Sequence, residues 1–200
     1  MAEGSGTGAG RGLRADARAN QDRVLDAAVR AFARDGADAS LRAIAKEAGV
    51  GIATLYRRFP TREHLLWSIY RSEVDRVCAL VPDLSRRLPP KLALRAWMAE
   101  FVDLLRAKQG MADALKAALG SDEHQRLETR ALITDAIGTL LAAGVADGTV
   151  RPDADSLDVM MALGGTALIA GEAEQSEQAA RLMDLLMAGL RPGVGATAEG

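Results

Sequence analysis

One cysteine, Cys78, cannot form an internal disulfide, and the two histidines, His64 and His124, lie far from it and from each other. No structural zinc or other metal site is expected from so sparse a ligand set, and no cofactor is implied. Long apolar runs are also missing. None approaches the ~20 residues that a membrane-spanning helix needs, and the Gly-rich start MAEGSGTGAGRG has no apolar signal-peptide core. The expected location is the cytoplasm, with no membrane partner. The chain has no phosphate-cradling glycine loop of the usual spacing and no paired histidines. Cys78 sits on an apolar helical stripe where burial would keep the thiol inert, so no catalytic residue is assigned and an enzyme is not expected. Alternating strand patterns are absent, and Pro82, Pro89, Pro90, Pro152 and Pro192 fall between helical runs. The fold class read from this is all-α.

What is present is a chain of 200 residues, 48% hydrophobic, enough for one core-bearing domain and a smaller second one. The formal net charge of −2 is unevenly spread. From Arg11 to Arg71 basic residues outnumber acidic ones 12 to 7, and from Ser72 to Gly200 the acidic residues lead 19 to 13. A cationic front end can lie on phosphate while an acidic rear end is held away from it.

The stretch SLRAIAKEAGVGIATLYRRF, residues 40–59, reads as two short helices hinged at Ala48-Gly49-Val50-Gly51. Ser40 is a good N-cap, and Leu41, Ile44, Ala45 and Ala48 recur at helical spacing to give one apolar face. Gly49 supplies the left-handed residue a helix C-terminus often needs. In the second helix Leu55 and Phe59 face inward with Ile52 or Val50, which leaves Ala53, Thr54, Tyr56, Arg57 and Arg58 outside. Arg57 and Arg58 can neutralise phosphates or fork onto a guanine edge. Thr54 can touch a thymine methyl, and Tyr56 offers a ring and a hydroxyl. The same pattern fits a surface helical hairpin whose arginines are merely solvated.

The run Gly49-Val50-Gly51-Ile52-Ala53-Thr54-Leu55-Tyr56-Arg57-Arg58-Phe59-Pro60-Thr61-Arg62-Glu63-His64-Leu65-Leu66 resembles the signature of the tetracycline-repressor (TetR) family of bacterial transcription regulators. In that family it closes a three-helix DNA-binding domain and leads into a fourth, linking helix. Three positions depart from the family pattern: Gly51 stands for a capping serine, Arg58 for a histidine and Arg62 for a lysine. The arginines keep the charge, so only Gly51 removes a contact. Phe101 to Met111, FVDLLRAKQGM, is similar to the second domain of the SbtR-like subgroup. The resemblance implies a homodimeric repressor of about nine helices. It would bind a palindromic operator and be released by an unknown small-molecule effector, apolar or amphipathic. The competing reading is a helical protein-protein adaptor without sequence-specific DNA binding.

In chain order, residues 1–19 read as a disordered basic arm ending in Arg11, Arg14 and Arg18, either solvated or lying along DNA. Residues 20–66 form the DNA-binding domain, in which Asn20 caps a first helix from about Gln21 to Arg34. Residues 67–192 form a ligand-binding and dimerisation domain, and 193–200 a disordered tail. Thr61 caps the linking helix, which runs to a stop at Pro82. Ser40, Arg42, Thr61 and Arg62 are expected to hold the DNA backbone, while Ile52, Ala53, Thr54, Tyr56 and Arg57 approach bases or sugars. A ligand pocket would be lined by Trp67, Tyr70, Val74 and Cys78 of the linking helix with Trp97, Met98, Phe101, Met111, Leu115 and Leu140, although the same side chains could fill a dry core. The last two helices are apolar over most of their circumference. Met160, Met161, Gly164, Gly165, Leu168, Leu182, Leu185, Leu186 and Leu190 are the expected dimer face, its glycine pair suiting close approach of another backbone.

Overall fold

Nine α-helices and no strand occur among the residues described by the computed structural model, which are 8–36, 39–109, 123–169 and 176–193. The chain divides into two compact units, and among the described residues the division falls between Ile69 and Tyr70.

The first unit holds α1 (Gly8–Asp35), α2 (Leu41–Glu47), α3 (Ile52–Arg58) and the first turns of α4 (Arg62–Cys78). Its core is the set read from the pattern: Val24, Leu25, Ala28 and Phe32 from α1, Ile44 and Ala45 from α2, Leu55 from α3, then Phe59, Leu65, Leu66 and Ile69. Two glycines make the turns. Gly36 (φ 56°) ends α1 and Gly49 (φ 68°) separates α2 from α3, both in the left-handed region where a side chain is strained. Asn20 does not start α1, which begins at Gly8, so residues 8–19 belong to a helix and not to a disordered arm. The segment Leu13-Arg14-Ala15-Asp16-Ala17-Arg18-Ala19 is rich in good helix formers, and carrying a helix through one asparagine costs about 0.7 kcal/mol at most. Residues 1–7 lie outside the described residues.

The second unit begins within α4, whose last turns contribute Val74 and Val77 to its core. The linking helix ends at Cys78, earlier than its apolar series suggests, and a short α5 (Val81–Arg87) follows after a turn. Pro82 sits in the first turn of α5 and starts a helix there. Its missing N–H is one that a first helical turn leaves unbonded anyway. Next come α6 (Pro90–Gln109), α7 (Glu123–Ala146), α8 (Ser156–Ile169) and α9 (Ser176–Gly189). Helix α6 packs against α5, α7, α8 and α9, and α8 packs against α7 and α9. Asp155 caps α8, its carboxylate accepting from the backbone N–H groups of Leu157 (2.8 Å) and Asp158 (3.0 Å). By length and composition α7 could cross a membrane. In this fold Ile133, Ile137, Leu140 and Leu141 make it a core helix. The short helix expected over Met111 to Leu119, and Ser121 as a cap, lie outside the described residues.

Gly144 marks where the chain leaving α7 crosses back over it. Thr149 and Val150 both donate backbone N–H groups to its carbonyl, at 2.9 and 3.0 Å. A Cβ there would lie 2.4 Å from Val150 Cγ2 and 3.0 Å from Val150 Cβ. Gly144→Ala is therefore expected to destabilise the fold by about 1–3 kcal/mol through overpacking, read as a lower urea midpoint with unchanged slope. A midpoint equal to wild type would show that the returning strand of chain yields freely.

Candidate nucleic-acid interface

Helix α3 turns one side to the core and the other to solvent. Leu55 is buried, as is Phe59 at its C-cap, while Ala53, Thr54, Tyr56, Arg57 and Arg58 are exposed. Ile52 is half-buried and shared between the two sides. Tyr56 is 49% exposed, high for a side chain with so much apolar area. The helix starts at Gly51 without a side-chain cap, as its sequence requires. In α2, Ser40 is exposed and its hydroxyl accepts from Ala43 N at 3.4 Å. In α4, Thr61 Oγ1 accepts from His64 N at 3.1 Å, so both hydroxyls expected near DNA also cap their own helices. The Glu63 carboxyl is held below the usual carboxylate range, first by its own backbone N–H and then by the Thr61 hydroxyl.

The cationic side chains fall into two sets. Arg42 and Arg57 are exposed, and neither makes a hydrogen bond or ion pair among the described residues. Arg23, Arg58 and Arg62 are engaged within the unit. Arg58 donates to Gln21 Oε1 of α1, and Arg23 donates from Nε to the carbonyl of Ala48 at the end of α2, at 3.3 Å. Arg62 stacks over the Phe32 ring, 4.7 Å from its centroid, and donates to the carbonyls of Ala39 (2.7 Å) and Gly36 (3.4 Å). Gln21 and Arg23 escape a sequence reading, because their partners lie 37 and 25 residues away and no local spacing signals them.

In the second unit, Val74, Trp97, Met98, Phe101 and Leu140 meet in one core cluster, with Tyr70 and Cys78 half-buried against it. Trp97 stacks on Phe101 with centroids 5.2 Å apart and donates its indole N–H to the Val77 carbonyl at 2.9 Å. Burial, and next the charge of Asp75, push the Cys78 thiol up to about 11. The Tyr70 phenol is pushed up to about 12, chiefly by burial. Trp67 is half-buried and belongs to the first unit, while Met111 and Leu115 lie outside the described residues.

The expected dimer face separates into two parts. Met161 (62%), Leu168 (79%) and Leu185 (68%) are exposed, with Gly165 beside them and Gly164 and Leu182 half-buried. A Cβ on Gly164 or Gly165 would meet nothing within 4 Å. Met160 and Leu186 instead pack against the unit's own core, and Leu190 is buried in it. Leu190 shares a helical stripe with Ala179, Met183 and Met187, and its carbonyl accepts from Arg151 N at 2.8 Å, so it is a core residue and not part of an outer face.

Residues 24–69 match the family model described as bacterial regulatory proteins of the tetR family, and residues 89–192 match the C-terminal domain of SbtR-like transcriptional regulators. The transcriptional repressor KstR of Mycolicibacterium smegmatis is 40% identical over 63 residues, and the match spans 31% of the length of each protein. The solved structure of a TetR transcriptional regulator from Streptomyces coelicolor shares 49% identity and superposes with a TM-score of 0.75, over 87% of this chain and 99% of that one. A TetR regulatory protein from Mycobacterium vanbaalenii shares 32% identity with a TM-score of 0.69, over 90% of this chain and 99% of that one.

Proposed function

Because the chain belongs to the TetR family of bacterial transcription regulators, we propose that it is a sequence-specific DNA-binding regulator acting as a homodimeric repressor on a palindromic operator. The carrying observation is the division of α3, with Leu55 and Phe59 buried on one side and Ala53, Thr54, Tyr56 and Arg57 presented on the other. A seven-residue helix contacts only a few base pairs. Two copies held ~34–36 Å apart read two half-sites together, which turns a weak reader into a selective one. Ser40, Arg42 and Thr61 hold phosphates beside α3, and the cytoplasmic nucleoid is where the protein acts. The adaptor reading has no support from the matched families.

Release follows when a small apolar or amphipathic molecule enters the second domain among Trp97, Met98, Phe101 and Leu140 and favours a different hairpin spacing. A coupling of about 1–3 kcal/mol weakens operator binding about 5- to 150-fold.

The test is titration of a duplex, selected by the protein from a random pool, at several salt concentrations. With about four phosphates neutralised per subunit, the wild-type dimer gives a log–log salt slope near −7. Arg57→Ala is expected to weaken binding by about 1–3 kcal/mol. Binding unchanged in both affinity and slope would remove Arg57 from the interface.

A further inference from the structure

Arg62 holds the cationic position beside the DNA-reading hairpin where a phosphate contact is the simple expectation, yet its guanidinium is turned inward and half-buried. One side chain thereby joins three elements. It is the first residue of α4, it stacks on Phe32 of α1, and it donates to the carbonyls of Gly36 and Ala39, which bound the turn leading to the Ser40 cap of α2. The Ala39 N–H closes the same turn onto the Gly36 carbonyl at 3.3 Å. Helix α3 ends at Arg58, only Phe59, Pro60 and Thr61 before Arg62. The guanidinium therefore ties the entry of α2 to the segment that leaves α3.

The fork geometry explains why the residue is arginine. A planar guanidinium can lie flat on an aromatic ring while its edge donates to two carbonyls, whereas a lysine ammonium offers a single point of charge. We propose that Arg62 is a positioning residue of the DNA reader, one that sets the pose of α2 and α3 and does not itself neutralise a phosphate. The inference rests on the DNA-binding reading above and names how that same site is held.

Three variants test it: Arg62→Lys, Arg62→Gln and Phe32→Leu. Each is titrated against the duplex selected by the wild-type protein and against a random-sequence duplex, at a temperature where far-UV circular dichroism shows full helix content. Phe32 is 2% exposed and cannot touch DNA, so any effect there acts through position. The expected result is a loss of about tenfold for the selected duplex in all three, the scale of one charge-assisted hydrogen-bonded contact. Affinity for random duplex and the salt slope stay at wild-type values, so the ratio between the two duplexes falls. A different pattern overturns the proposal: Arg62→Lys binding like wild type, with Arg62→Gln making the salt slope shallower by about 2, as loss of one phosphate contact per subunit requires. Lower melting temperatures with an unchanged ratio would overturn it as well, leaving a purely structural contact. A wild-type protein that selects no duplex removes the DNA-binding reading and this inference together, whereas a selective wild type with unaffected variants removes the inference alone.

Discussion

Leu168→Arg is expected to leave each protomer folded and to abolish tight operator binding. Leu168 is 79% exposed on α8, so the substitution removes almost no packing within the protomer. In a two-fold dimer it acts differently. An isologous interface presents the same patch twice, so one substitution brings two guanidinium groups into an apolar seam. Each loses hydration worth several kcal/mol, and the two like charges face one another. Met161, Gly165 and Leu185, exposed on the same two helices, would lose their cover at the same time. Without the partner each reader binds its half-site alone, and loss of the linked second contact lowers affinity by about 10²–10⁴. Sedimentation velocity and a gel shift on the same preparation check both halves of the expectation. A Leu168→Arg protein that remains dimeric would move the interface away from the α8 and α9 face.

The second large effect concerns Trp97. It is fully buried, stacked on Phe101 and bonded through its indole nitrogen to the Val77 carbonyl near the end of α4. Trp97→Ala removes the largest fully buried side chain of the described residues, at a cost of about 3–5 kcal/mol. A domain with a total stability of about 5–15 kcal/mol keeps little margin after that. Trp97→Phe separates the two contributions. It keeps a ring on Phe101 and removes the N–H with a small part of the indole volume, and the Val77 carbonyl still accepts from Leu80 N at 3.2 Å. About 1–2 kcal/mol is expected for that change. Urea unfolding of the three proteins orders them, wild type above Trp97→Phe above Trp97→Ala. Equal midpoints for wild type and Trp97→Ala would show that the site collapses without loss.

The turns and the inner face of the reading hairpin are legible because each is written locally. Gly36 and Gly49 take the positive φ their positions demand, and Leu55 and Phe59, four residues apart, go inward as helical spacing requires. The start of α1 misleads because a capping residue competes with continuation of the helix, and the alanines and arginines before Asn20 favour continuation. Pro82 misleads in the opposite way, since proline ends one helix and begins another with equal chemistry. Leu190 resembles its exposed neighbours in type, and only the register of α9 against the core separates it from Leu185. The site residues divide by range of interaction. Exposure of Arg57 follows from the helix that carries it, whereas the inward turn of Arg62 depends on Phe32, which lies in another helix and is reached only after folding.

In the proposed dimer, the open space over Gly164 and Gly165 bears on which chains can pair. Two backbones bare at the crossing point can come nearer than any pair in which one member carries a side chain there. A relative with valine or leucine at that place would be held off by its own bulk, and the mixed pair would forfeit contacts along the whole seam. In such a dimer, two adjacent residues without Cβ atoms would thus favour like joining like.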